Sequence, residues 1–302
     1  MDIQEGSCPV CLFGQTADRS LTLGSLNHYT VMKCPECGLV YAYPKPTLDQ
    51  LSKLYSNYHV ETNQIELSGK GEVTLFQNVL HYVSSRGAQG ELLDIGASYG
   101  HFLDMARSKG YSTRGIEIAV EPCEYARRVF HLDVECKTLA KTSFNEDRFS
   151  AITLLNVFEH MPDPYETLIE CRRITRPDGV IVIVVPNLLF AYPYFSLTRR
   201  LGLEIPVPSS AYAVPYHLTL FSPRSLRRIL HASGWEDIMI VNAPVILNSS
   251  FVKTTAKRTI KWLGDKLADI TSGRLVLGYS LLAVAQKPKP RMFTIHYYNM
   301  TL

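Results

Sequence analysis

Glu91-Leu-Leu-Asp-Ile-Gly-Ala-Ser-Tyr-Gly-His-Phe-Leu103 is the stretch that decides the fold. Leu92 to Ile95 reads as a short apolar strand. The chain then turns through Gly96 and Gly100 and enters an amphipathic helix that Gly110 ends. A strand, a glycine turn and a helix start form a nucleotide-binding corner, because a backbone without Cβ atoms can approach a ligand closely. Tyr111-Ser-Thr-Arg-Gly-Ile-Glu-Ile118 follows as a second strand that closes on Glu117 and Ile118. A carboxylate at that point can accept both hydroxyls of an adenosine ribose.

Outward from this corner, strand and helix alternate. Strands are expected at 91–95, 112–118, 133–136, 149–156, 180–187 and 236–246, with helices at 72–85, 100–109, 120–130, 164–176 and 222–234. That alternation predicts an α/β chain with a doubly wound, parallel sheet. Val180-Ile-Val-Ile-Val-Val185 is a continuous β-branched run, the pattern of a strand buried on both faces, and Arg176-Pro-Asp-Gly179 reads as the turn before it. Ser222 before Pro223, with Gly234 at the other end, frames one helix by its caps. Gly278 to Gln286 is expected as a final, antiparallel strand at the end of the sheet.

Asp94, Gly96 and Gly100 resemble motif I of the class I S-adenosylmethionine (SAM) dependent methyltransferases, Asp-x-Gly-x-Gly-x-Gly, with Ser98 in place of the middle glycine. A dinucleotide site would instead place Gly-x-Gly-x-x-Gly after its first strand to hold a pyrophosphate. Glu159, His160, Asp163 and Pro164 resemble the Glu-His-x-x-Asp-Pro signature of ubiquinone-biosynthesis-type and sugar methyltransferases. Pro177-Asp-Gly179 before a strand ending in Pro186-Asn187, and Tyr216-His-Leu-Thr-Leu-Phe-Ser-Pro223, fit the same group. The resemblance implies a Rossmann-like sheet that holds SAM through Asp94, Gly96, Ser98, Gly100, Glu117, Ile118, Thr138, Leu139 and Asn156. Relatives that bind a divalent ion carry a carboxylate where Asn156 stands, so no metal is expected beside it.

The chain has 302 residues, 46% of them hydrophobic, enough for one large domain and a small one. A net charge of +3 implies neither nucleic acid nor membrane as partner. No apolar run is long enough to span a bilayer, and the polar start Met1-Asp-Ile-Gln-Glu5 is unlike a secretory signal. The seven cysteines are therefore read as metal ligands and buried thiols of a cytoplasmic protein, not as disulfides. Cys8-Pro-Val-Cys11 and Cys34-Pro-Glu-Cys37 are two knuckles spaced as in a zinc ribbon over residues 1–43, with a hairpin between them and Gly38 turning the second. Four thiolates leave no open position for water, so the zinc would be structural. Two reduced redox pairs are the alternative, and His28 is a conceivable substitute ligand.

Residues 44–86 are expected as a helical segment over the SAM pocket, with Thr47 as an N-cap and Tyr55 or Tyr58 either touching SAM or packing between ribbon and main domain. Residues 87–290 would be the methyltransferase domain and 291–302 a tail. The aromatic stretch 188–221 is placed as an acceptor lid. His217 is the first candidate for general base, with His160 and Tyr216 beside it; hydrogen bonding to the lid backbone is the other reading of His217. Glu159 and His160 can equally be structural groups that tie their loop together. Arg199 and Arg200 can hold an acceptor phosphate or simply be solvated. A basic amphipathic helix at 248–273 either covers its own core or rests on a membrane surface.

The expected function is transfer of a methyl group from SAM to a small-molecule or glycan-type acceptor, most simply by O-methylation. Methylation of RNA or protein, with the ribbon as a docking module, would call for a basic stripe, and residues 1–43 hold only Arg19 and Lys33 as cations. A catalytically silent SAM-binding scaffold is the third reading.

Overall fold

The computed structural model describes residues 8–11, 21–26, 29–47, 50, 72–190, 217–244, 266, 276 and 278–289. Two sheets organise them. The small one contains β1 (Leu21–Leu26), β2 (Tyr29–Lys33), β3 (Val40–Tyr43) and β9 (Thr219–Leu220), in that order and antiparallel throughout. The large one contains β4 (Glu91–Ile95), β5 (Ser112–Ile116), β6 (Val134–Glu135), β7 (Phe149–Leu155), β8 (Thr175–Pro186), β10 (Glu236–Asn242) and β11 (Ser280–Gln286). Its order is β10-β11-β8-β7-β4-β5-β6, parallel from β8 to β6.

Successive side chains of a strand point to opposite faces, and here both faces are covered. Val180, Val182 and Val184 join the core under α1 (Val73–Ser85), α2 (His101–Ser108) and α3 (Val120–Phe130). Ile181, Ile183 and Val185 join the opposite core, under α4 (Pro164–Ile174) and α5 (Pro223–Ala232). The sheet is therefore doubly wound, with its first strand, β4, inside the sheet between β7 and β5. On α5 the Ser222 hydroxyl accepts from the Ser225 N–H while the Ser225 hydroxyl accepts from the Ser222 N–H, a reciprocal cap that fixes the helix start.

Three expectations need correction. β11 is antiparallel, but it lies between β8 and β10, so β10 takes the edge. An open edge strand must be covered or paired, and the last strand satisfies both neighbours at once. Arg176-Pro-Asp-Gly179 is not a turn ahead of β8 but a bulge within it: Thr175 pairs with Phe149 and Val180 with Ala151. The cysteines are not all ligands or free thiols, because Cys123 of α3 and Cys136, just past β6, are joined in a disulfide. α3 runs back over β6 and brings positions thirteen residues apart to a Cα–Cα distance of 5.7 Å, which spacing alone does not reveal. Cys171 is a buried thiol, as expected.

The small sheet packs on the α4–α5 face, and Met32, Leu39 and Tyr41 belong to the same core as Leu226 and Ile229. β3 extends into the main domain by pairing with β9, Val40 opposite Leu220. Arg224 and Arg228 of α5 donate to the Glu36 carbonyl in the second knuckle. At the start of the segment expected over the pocket, the Thr47 hydroxyl accepts from the Gln50 N–H and Gln50 Oε1 accepts from the Thr47 N–H, as an N-cap should. Among the described residues no helix is long and apolar enough to cross a membrane.

Trp235 anchors the α4–α5 face: it is fully buried and its indole N–H donates to the Leu168 carbonyl at 3.3 Å. Trp235→Ala should lower unfolding free energy by about 3–5 kcal/mol, the range for truncating a buried aromatic. Urea denaturation checks it, and a loss below 1 kcal/mol (roughly, on the same scale) would mean that the ring is not part of the core.

Candidate functional site: a nucleotide corner beside a paired-histidine cluster

In open α/β sheets ligands gather outside the carboxyl ends of the strands. β4 ends on Ile95, and the chain leaves it through Gly96 at φ 80° and Gly100 at φ 85°. A Cβ on Gly96 would lie 2.6 Å from the Val157 side chain, and one on Gly100 would lie 2.9 Å from the Ala126 Cβ. Neither position has room for a side chain. Ser98, where the motif has glycine, takes the left-handed conformation that glycine favours, at φ 48°, so the turn keeps its path.

That path aims two backbone amides at one carboxylate. Ser98 N–H donates to Glu117 Oε2 at 2.9 Å and Ala119 N–H donates to Glu117 Oε1 at 2.8 Å. Glu117 is buried at the end of β5, while Ile118 next to it is 40% exposed, an apolar side chain left uncovered at the rim. Asp94 lies behind, buried, accepting from the Thr153 hydroxyl at 2.5 Å. Burial pushes its carboxyl up to about 7 against the pull of Thr153, and the negative charges of Glu117 and Glu72 add to the rise. Burial also raises Glu72 to about 7. The raised proton affinity of Asp94 and Glu72 marks a corner that favours a cation.

Thr138 and Leu139 follow β6, where Leu139 begins a short 3-10 turn (Leu139–Lys141) and is mostly buried in the core. Asn156 follows β7 in the left-handed region, at φ 55°, with its N–H on the Val184 carbonyl. The left-handed turn there swings Val157 against Gly96. The next residues, Phe158–His160, form a 3-10 turn, with Phe158 stacked on Phe221 at 5.1 Å.

This turn carries the second half of the site. Glu159 is buried, and its Oε1 lies 3.9 Å from both His160 Nε2 and His217 Nε2. The two imidazoles meet edge to face with centroids 4.6 Å apart. Donor atoms of all three residues lie within 4.8 Å of one another. Glu159 Oε2 has no hydrogen-bond partner among the described residues. Burial pushes the Glu159 carboxyl up to about 8. His217 is itself buried and enters β9, where the backbone is tied down on both sides: Leu218 N–H donates to the Glu159 carbonyl, and Ala42 N–H of β3 donates to the Leu218 carbonyl. Lys45, just past β3, pairs with Asp163 at the start of α4.

The four knuckle cysteines also converge. Their sulfurs lie within 4.8 Å of one another, with Cys8 Sγ 3.6 Å from Cys37 Sγ and Cys11 Sγ 3.5 Å from Cys34 Sγ. The Gly38 N–H donates to the Cys34 carbonyl and turns the second knuckle at φ 73°. Cys8, Cys34 and Cys37 are buried.

The structure thus brings together Asp94, Gly96, Ser98, Gly100, Glu117 and Ile118 as one group, His160 and His217 as a second, and the four cysteines as a third. Tyr216, His28, Tyr55, Tyr58, Arg199 and Arg200 lie outside the described residues, as does helix 248–273 apart from Lys266. Sequence reasoning missed Thr153 behind Asp94 and the closure of Glu159 on both imidazoles. The Glu-His pair was visible in the sequence; that His217, fifty-seven residues on, closes over it was not.

Comparison with known proteins agrees with this geometry. Residues 70–240 match the family described as a methyltransferase domain. The chain is 28% identical over 107 residues to the ubiquinone biosynthesis O-methyltransferase of Haemophilus ducreyi, covering 32% of this chain and 45% of that one. The corresponding enzyme of Actinobacillus pleuropneumoniae serotype 5b is also 28% identical over 107 residues, 32% of this chain and 46% of its own. The chain thus spans about half the length of the curated relatives it matches. Among solved structures, a SAM-dependent methyltransferase from Archaeoglobus fulgidus superposes with a TM-score of 0.52 at 20% identity, over 76% of this chain and all of that one. A [4+2]-cyclase also superposes at 0.52, with 18% identity over 82% of this chain and 99% of its own. By the match over more than half its length, the chain belongs to the methyltransferase-domain family and has the class I SAM-dependent methyltransferase fold.

Proposed function

We propose that the protein transfers a methyl group from SAM to a small-molecule or glycan-type acceptor, with an acceptor hydroxyl as the nucleophile. The observation that carries the reading is the pairing of the two half-sites by Val157, which packs on Gly96 at one end of a short segment whose other end is His160. The same fold also serves a cyclase, and these residues are what favour methyl transfer here.

The residues fit SAM. Gly96 and Gly100 let the turn pack tightly on Val157 and Ala126, Glu117 is fixed by two amides at the ribose position, and Ile118 offers an uncovered apolar surface to an adenine. Thr138, Leu139 and Asn156 line the neighbouring strand ends. SAM supplies a methyl on a positively charged sulfur, which is already activated for displacement. The carboxylates Asp94 and Glu72 favour its cationic half electrostatically. His217 takes the proton of the acceptor hydroxyl, with His160 beside it. Loss of that proton would leave the acceptor oxygen free to take the methyl that bound SAM would supply. The ubiquinone-biosynthesis relatives act by O-methylation as their name says, which supports oxygen as the nucleophile here.

The four cysteines fit a structural zinc. Their sulfurs come from two short knuckles, their cluster is closed, and they lie in the core beneath β3. Cys8, Cys11, Cys34 and Cys37 would hold the ion and take no part in the chemistry.

Three outcomes are expected. The wild-type chain should bind SAM and S-adenosylhomocysteine in calorimetry but not NAD, and Glu117→Ala should weaken both by about 100-fold or more, since hydrogen bonds to a charged group contribute about 1.5–3 kcal/mol each. Unchanged affinity in that variant would sink the ribose assignment. SAM affinity should also rise with pH. Asp94 holds its proton below a folded-state value of about 7, and a cation must displace that proton. Affinity at pH 8 should therefore exceed that at pH 6 by up to roughly tenfold, one unit of proton linkage; a flat profile would show that Asp94 does not face the cation. The purified chain should carry one zinc by atomic emission, and Cys37→Ser should lose it while keeping the SAM affinity of the wild type; a metal-free wild-type chain would reject the zinc site.

A further inference from the structure

The two imidazoles share a group that the methyl-transfer scheme above does not use. Glu159 lies behind both, reaches each through the same oxygen at 3.9 Å, and keeps its other oxygen buried without a hydrogen bond among the described residues. A buried carboxyl so placed costs stability, because removing a charge or an acidic proton from water is unfavourable unless it is matched. The backbone of Glu159 ties the loop together, through its carbonyl on Leu218 N–H and the Thr219 hydroxyl. The side chain plays no part in those bonds.

We infer that Glu159 is a positioning residue that holds one proton jointly with His160 and His217 and sets the charge state in which His217 can accept a proton. This rests on the methyltransferase reading for its purpose, though not for its chemistry. With Glu159 ionised and both imidazoles neutral, the cluster has one unit of negative charge and a vacant base. When the acceptor's oxygen–hydrogen bond breaks, its proton arrives on His217, and the new imidazolium lies beside the carboxylate. The cluster becomes neutral overall, and no charge is left unmatched in the buried pocket. Burial raises the Glu159 carboxyl to about 8, so this group holds its proton more strongly than an exposed carboxyl does. Among the described residues the titratable groups facing Glu159 are His160 on its own turn and His217 from the segment entering β9. Asp163, further along the same segment, is paired with Lys45.

The proposal is tested without an acceptor. Histidine labelled with carbon-13 at Cε1 is titrated by NMR in the full chain, the two resonances being assigned with His160→Gln and His217→Gln. In the wild type both imidazoles should titrate in coupled steps, with an inflection near pH 8. In Glu159→Gln that inflection should vanish, and the main midpoint of His217 should fall by about one pH unit or more, the effect of losing an adjacent carboxylate. Glu159→Asp keeps the carboxylate and should restore the coupled titration. Unchanged histidine titrations in folded Glu159→Gln protein overturn the proposal. So do resonances that shift on addition of magnesium or zinc and return with chelator, because a cation would then occupy the place given to the proton. SAM calorimetry in the same buffers separates the two readings. Coupled histidines in a chain that fails to bind SAM would leave the proton-sharing cluster standing and reject the methyltransferase assignment instead.

Discussion

A missing methyl group governs this fold. Gly96 has no room for a Cβ because Val157 occupies the place, and Val157 is there because Asn156 turns left-handed at the end of β7. One contact therefore joins the loop after β4 to the loop after β7. The first presents amides to Glu117, and the second carries Glu159 and His160. The glycine turn and the histidine cluster are thus joined by apolar packing. The turn tolerates Ser98 because its demand is for a left-handed backbone, which serine meets at a modest energetic penalty.

Most of the large sheet was legible in the sequence because its constraints are local. The run Val180–Val185 has to be a strand buried on both faces, Ser222-Pro223 has to start a helix, and Glu91–Gly100 has to be a strand and a turn. What escaped was set by distance along the chain. The position of β11 between β8 and β10 follows from pairing across a long connection, and the Cys123–Cys136 bond follows from α3 folding back over β6. The bulge in β8 escaped for another reason: Pro-Asp-Gly is a turn signal in isolation, yet the parallel neighbour β7 keeps pairing on both sides of it.

The site divides in the same way. Asp94, Gly96, Gly100 and Glu117 lie within one strand-turn-helix-strand unit, so that spacing alone shows that they come together. The four cysteines were legible because metal knuckles are short and self-contained. Glu159 looked like a loop-tying residue, and its backbone does tie the loop, but its side chain points to an imidazole that enters from beyond the lid region. No local pattern encodes that meeting. It depends on β9 pairing with β3, and so on a ribbon strand that precedes the whole nucleotide-binding unit.

That strand pairing also sets an order of assembly. Val40 faces Leu220 across a sequence separation of 180 residues, among the most expensive closures in the chain, while β4 to β8 are built from neighbours. As the chain leaves the ribosome, the ribbon has its metal ligands early but no edge to pair with, and the nucleotide corner can close before His217 has been synthesised. Until then β3 has only β2 beside it. Once residues near 220 emerge, β9 takes the other edge of β3, and His217 is carried to Glu159.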